Sequence, residues 1–179
     1  MRIGRFHSQG SNRIGVFKNN EVTDVTNSYE SYRDLLMEMT DGGEITEEGQ
    51  SFARDEIKYL PPTTPENTIF AAALNYDTHI DEIDDAETAV PEVPHLFLET
   101  YGTLIGHKDP ITRHSSITDE LDYEPELAAV IGKPARNVSE DEALDYVAGY
   151  TIFNDVTARD LLRFSVGDDT RLDWTSAKC

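Results

Sequence analysis

Apolar and polar positions alternate on a two-residue period at the start of the chain. Residues 3–6 (IGRF), 14–17 (IGVF) and 21–26 (EVTDVT) are short runs of this kind, and Lys18-Asn19-Asn20 between the last two suits a tight turn. A small antiparallel sheet is therefore expected. The period then lengthens: Tyr32, Leu35, Leu36 and Met39 recur at helical spacing, which predicts a helix over residues 31–39, capped by Ser28 and stopped by Gly42-Gly43. This stripe reads as core. The acidic stretch that runs to Glu56 predicts a second helix or a loop. Pro61, Pro62 and Pro65 cannot sit inside a helix or a central strand. They set a boundary between a small N-terminal domain, residues 1–60, and a second domain, residues 65–179.

Beyond the prolines, residues 69–74 (IFAAAL) read as a buried strand running out into a polar loop, and residues 81–92 are rich in acids with little to pack. Short strands are expected at 96–99 and 103–107. Residues 127–131 (LAAVI) form a further apolar strand, Ser139 and Glu142 a capping box for a helix reaching Tyr146, and residues 147–153 another apolar strand that ends at Asn154-Asp155. Asp155 or Thr157 caps a helix over 158–163, and residues 167–178 are expected to be irregular. Strands outnumber helices, so the fold class is α+β, with a largely β second domain.

Composition narrows the setting. Apolar residues make up 38%, mean hydropathy is -0.50, and neither an 18-residue apolar run nor an N-terminal signal pattern occurs. These features argue against a membrane protein and predict a cytoplasmic one. The single Cys179 excludes an internal disulfide and a thiolate metal cluster. The 35 acidic against 15 basic residues give a net charge of -20, which repels nucleic acid and matches the carboxylate-solvated surface of halophilic proteins. In such a chain any one carboxylate is first of all a solvating group.

Against that background a few positions stand out. Glu124 and Glu126 lie two residues apart just ahead of the apolar strand, where alternate side chains share a face. Two acids crowded there need water or a cation to compensate them, although a strand that has not yet left solvent would read the same way. Asp155 occupies the matching position at the end of its own strand. If the two strands are neighbours, three carboxylates converge; three oxygen donors favour Mg²⁺ or Mn²⁺ over Zn²⁺. A plain helix cap is the other reading of Asp155. His79 and Glu82, at i and i+3, form a carboxylate-oriented imidazole suited to a general base if that loop is helical, or else part of a solvated acidic face. Lys178 is either a charge stabiliser or a surface lysine. His7, His95, His107 and His114 have no comparable partner.

Three stretches, LNYDTHIDE (74–82), residues 121–160 (LDYEPELAAVIGKPARNVSEDEALDYVAGYTIFNDVTARD) and DWTSAK (173–178), closely resemble the fumarylacetoacetate hydrolase family. The resemblance covers residues 65–178 and is most specific over 121–160. It implies a mostly β, roll-like catalytic domain behind the N-terminal one. It also implies Mg²⁺ or Mn²⁺ held by Glu124 and Glu126 of the E-x-E motif and by Asp155 of the ND-x-x-ARD motif. His79 and Glu82 then activate water from a loop over the substrate, and Lys178 is the active-site lysine. The implied substrates are small 2-oxo or 1,3-dioxo acids, cleaved at a C–C bond through a metal-bound enolate. The same residues serve an isomerase, a tautomerase or an oxaloacetate-type decarboxylase. A homodimer is usual in the family.

Two departures bear on this. Leu162 stands where a substrate-holding glutamine is common. Family members also continue well past the lysine, whereas this chain ends at Cys179, so it resembles a truncated member with an incomplete roll. A non-catalytic fragment that associates with another subunit is a competing expectation, and a bare acidic cation-binding module is a third.

Overall fold

The computed structural model of the chain describes residues 1–76, 92–166 and 169–178, excepting the side chains of residues 164, 166, 169 and 170. The architecture is α+β and mostly sheet. In chain order the elements are β1 (Ile3–Ser8), β2 (Ser11–Lys18), β3 (Glu21–Asp24), α1 (Tyr32–Thr40), β4 (Ser51–Ala53), β5 (Lys58–Leu60), β6 (Ile69–Ala73) and β7 (His95–Glu99). Then follow β8 (Leu121–Asp122), β9 (Pro125–Ile131), β10 (Val147–Asn154), β11 (Thr157–Ala158), α2 (Arg159–Leu162), β12 (Arg163–Val166), β13 (Asp169–Leu172) and α3 (Trp174–Lys178). They fall into two compact units: residues 1–63, 105–112 and 123–155 in the first, and 64–104, 113–122 and 156–179 in the second.

In the first unit the alternating N-terminal runs pair as expected, in an antiparallel sheet of order β4-β3-β2-β1-β5. Ile3 lies opposite Val16, and Val16 opposite Thr23. One face is covered by α1, whose Tyr32, Leu35 and Leu36 pack with Ile14, Val16 and Val25. The other face buries Phe6, Val22 and Phe52. Gly15 belongs to that second face: a Cβ there would meet Val22 Cγ2 at 2.3 Å and Phe6 Cε1 at 2.8 Å. The helix starts on Ser31 and not Ser28, because the Ser31 hydroxyl accepts from the Asp34 N–H at 3.2 Å while Ser28 closes a preceding 3-10 turn. Gly42, at φ +77, follows its last turn, the left-handed conformation that glycine adopts without strain.

The acidic stretch expected to form a helix or loop is loop over 43–50 and then supplies the edge strand β4, with the other edge strand, β5, just beyond it. Phe52 decides this locally. It is buried and meets Phe6 edge-on at 5.6 Å, an anchor that outweighs the polarity of its neighbours. The expected helix over 139–146 is a 3-10 run, Glu140–Tyr146, and the Ser139 hydroxyl bonds the Glu142 carboxylate at 2.6 Å without capping a backbone N–H.

The second unit contains the pairs β6–β7, β8–β11 and β12–β13, with Ala71 opposite Phe97. No strand forms over 103–107, because Thr103 donates through both its N–H (3.2 Å) and its hydroxyl (2.8 Å) to the Thr100 carbonyl and curls the chain into a 3-10 turn. The expected helix over 158–163 is one turn, α2. The tail expected to be irregular is ordered into β13 and α3, the latter started by Asp173, which accepts from the Ser176 N–H (3.0 Å) and hydroxyl (2.6 Å). Among the described residues no helix is long and apolar enough to cross a membrane.

Candidate functional site

The antiparallel pairing of β9 and β10 sets Asn154 opposite Pro125 and Phe153 opposite Glu126. Two further bonds close the end of this hairpin. The Asp155 N–H donates to the Glu124 carbonyl at 2.9 Å, and the Glu124 N–H donates to Asn154 Oδ1 at 3.2 Å. The E-x-E and N-D segments, distant in sequence, are thereby joined through the main chain.

Burial follows the pleat. Tyr123, Pro125, Leu127, Ala129 and Ile131 are exposed, whereas Glu124, Glu126, Ala128 and Val130 alternate with them as half-buried residues. Both glutamates thus lie on the covered face of β9. Farther along that face Val130 and Ala148 pack against the α1 cluster. Gly132 permits this approach: a Cβ there would lie 1.9 Å from Thr40 Oγ1 and 2.7 Å from the Leu36 carbonyl oxygen. Asp155 is only 5% exposed, and it is not a helix cap, since α2 begins at Arg159 with Ala158 as its N-cap.

Carboxylates are the donor type that a hard divalent cation takes, and the segments carrying Glu124, Glu126 and Asp155 meet at one hairpin end. Among the described residues, however, no three His, Cys, Asp or Glu side chains stand in a metal-holding cluster.

Lys178 sits in the second unit, on α3. It is 9% exposed, with its ammonium 5.4 Å from the centre of the Phe97 ring, and Trp174 stacks on the same Phe97 at 4.9 Å. An ordinary surface lysine has neither feature. Asp173, whose carboxyl is held below its ordinary range by the bonds from Ser176, starts the helical turn that carries it. His79 and Glu82 lie outside the described residues.

Asp160 and Thr118 also shape this region, and sequence reasoning missed both. The Thr118 hydroxyl donates to Asp160 at 2.5 Å and the Asp119 N–H at 3.1 Å, and the hydroxyl bond foremost lowers the Asp160 carboxyl from its usual value. Arg159 Nε reaches Asp122 at 3.0 Å, and the Arg159 N–H donates to the Glu120 carbonyl at 2.9 Å. The Ala-Arg-Asp tripeptide therefore ties down the approach to β8, just ahead of Glu124. Nothing in the spacing of Thr118 signals this. The Asp173–Ser176 pair does carry a capping pattern that a closer reading of the tail would find.

Residues 68–179 match the family described as fumarylacetoacetate (FAA) hydrolase, C-terminal. Oxaloacetate tautomerase YisK of Bacillus subtilis is 41% identical over 111 residues, 62% of this chain and 36% of that protein. A fumarylacetoacetate hydrolase from psychrophilic Exiguobacterium antarcticum shares the fold at TM-score 0.69 with 35% identity, over 89% of this chain and 57% of that one. A 5-carboxymethyl-2-hydroxymuconate delta-isomerase from Mycobacterium smegmatis does so at TM-score 0.68 with 27% identity, over 89% and 56%. The chain thus spans about half the length or less of these relatives.

Proposed function

Because the chain belongs to the fumarylacetoacetate hydrolase family, we propose that it carries the metal-binding part of an enzyme that acts on 2-oxo or 1,3-dioxo acids. Glu124, Glu126 and Asp155 hold a divalent cation, Mg²⁺ or Mn²⁺. When bound, such an ion supplies Lewis-acid polarisation of a substrate carbonyl. His79, oriented by Glu82, takes a proton from water in a hydrolysis or from the substrate carbon in an isomerisation. Lys178 adds positive charge where the oxyanion develops. The observation that carries this reading is the main-chain bond between Asp155 and Glu124, which brings a 5%-exposed carboxylate to the end of the hairpin that bears both glutamates.

A tautomerase is the second reading, favoured by the 41% identity to oxaloacetate tautomerase YisK. It needs the same acids and the same base, with no water attack. The family match beginning at residue 68 supports a catalytic domain over 65–179 behind a small N-terminal domain of 1–60. A homodimer and a cytoplasmic, halophilic setting complete the proposal, on the family's habit and on the acid-rich composition.

Calorimetric titration of Mg²⁺ into the 179-residue chain at high salt, alone and with oxalate as an enolate mimic, tests the site. Binding is expected, tightened by oxalate and abolished in Glu124→Gln and in Asp155→Asn, together with Mg²⁺-dependent turnover of oxaloacetate or an acylpyruvate. Unchanged binding in both variants overturns the assignment. Loss of the oxaloacetate enol absorbance without release of a cleaved product selects the tautomerase.

A further inference from the structure

The first unit contains a cleft of about 420 Å³ lined by Asn19, Arg54, Asp55, Tyr59, His107 and Lys108. That volume lies within the roughly 300–1,000 Å³ typical of small-ligand sites. None of these residues belongs to the carboxylate set described above.

Two tight turns build the walls, and both hold a side chain in the left-handed region. Asn19 has φ +34 in the β2–β3 turn, and Lys108 has φ +72 in the turn at 106–109. The second turn is fastened by the Gly106 N–H donating to Asp109 Oδ2 (3.1 Å) and the Asp109 N–H donating to the Gly106 carbonyl (3.0 Å). Gly106 must be glycine, since a Cβ would fall 2.0 Å from the Tyr59 carbonyl oxygen. This close approach brings His107 edge-on to Tyr59 at 5.0 Å and places the Lys108 ammonium 5.9 Å from the centre of the same ring.

The charges are the informative feature. Arg54 is fixed entirely by uncharged groups. Its Nε donates to the Tyr59 hydroxyl (2.9 Å), its Nη1 to the Asn19 carbonyl (3.0 Å), and its guanidinium carbon lies 5.7 Å and 5.6 Å from the centres of the Phe17 and Tyr59 rings. Among the described residues neither Arg54 nor Lys108 makes an ion pair. This happens in a chain with 35 acidic and 15 basic residues, where Lys58 and Lys133 each pair with an aspartate. Two cations facing one cleft, with only Asp55 among its lining acids, leave it locally positive on a strongly negative protein.

We propose that this cleft binds a small phosphate-type dianion. A single carboxylate needs one guanidinium. A group with more oxygens and a double charge uses the remaining N–H groups of Arg54 together with the point charge of Lys108 and the imidazole of His107. The Asn19 amide and the Tyr59 hydroxyl supply neutral contacts at its edge.

Titration of inorganic phosphate into the full chain without Mg²⁺, with malonate in a parallel arm, tests the proposal independently of the carboxylate site. Saturable phosphate binding is expected, at least tenfold weaker in Arg54→Gln and in Lys108→Gln and unchanged in Lys133→Gln. Lys108 is exposed, so Lys108→Gln keeps the test valid if Arg54→Gln fails to fold. Absence of saturable phosphate binding, or equal affinity in Lys108→Gln, overturns the proposal. So does malonate binding at least as tightly as phosphate.

Discussion

The N-terminal sheet and the β9–β10 hairpin are both antiparallel, yet they treat their side chains in opposite ways. In the sheet, the apolar Phe6, Val16 and Val22 are almost wholly buried. In the hairpin, Leu127, Ile131, Tyr150 and Ile152 are exposed, Ile152 at 81%, while Glu124 and Glu126 lie on the covered face. Burial free energy favours the reverse arrangement. Packing within the described residues accounts for the sheet completely. It accounts for the hairpin only at the end where Val130 and Ala148 meet the α1 cluster and Gly132 meets α1 itself. At the other end two half-buried acids, Glu124 and Glu126, alternate with exposed apolar residues, which packing alone does not favour.

This contrast can be broken or sharpened by measurement. Leu35, fully buried between α1 and the sheet, should lose about 3 kcal/mol on conversion to Ala, from lost transfer energy and the cavity left behind. Urea denaturation reads this directly. An effect of at most similar size, seen only at alkaline pH, comes from Tyr32, whose phenol burial pushes up to about 12 against a lowering by Arg5. The folded chain keeps this proton where the unfolded chain, with an ordinary phenol near 10, has lost it. Stability from this group is therefore full below pH 10 and declines between pH 10 and 12, by up to about 3 kcal/mol; denaturation at stepped alkaline pH should show the decline in the native chain and not in Tyr32→Phe. Smallest of all, Ile152→Ser on the exposed face should change stability by no more than about 0.5 kcal/mol. A loss comparable to that of Leu35→Ala would show that the hairpin's outer face is packed in solution, and the contrast would fall.

The parts of the fold with a strong period were readable from the sequence alone: the three N-terminal strands, the Tyr32-Leu35-Leu36 stripe, and the runs at 127–131 and 147–153. The cap was expected at Ser28, but Ser28 closes a 3-10 turn and Ser31 caps the helix. β4 and β5 were hidden because single aromatics, Phe52 and Tyr59, anchor otherwise polar segments. In the candidate site, the sequence named Glu124, Glu126 and Asp155 on the condition that their two strands are neighbours; β9 and β10 do pair, although among the described residues no three such side chains form a metal-holding cluster. The burial of Lys178 was not legible. It depends on Phe97 and Trp174, which come together only in the folded second unit.

The bond from the Asp155 N–H to the Glu124 carbonyl involves no atom of either side chain. The frame that presents the acids is consequently indifferent to what those positions carry. A single nucleotide change that turns Glu into Gln, or Asp into Asn, would alter the charge offered at the hairpin end and leave the main-chain bond intact. Inheritance can act on the two separately: a lineage can retain this scaffold through a change of reaction, or through the loss of one, with no new fold to be found.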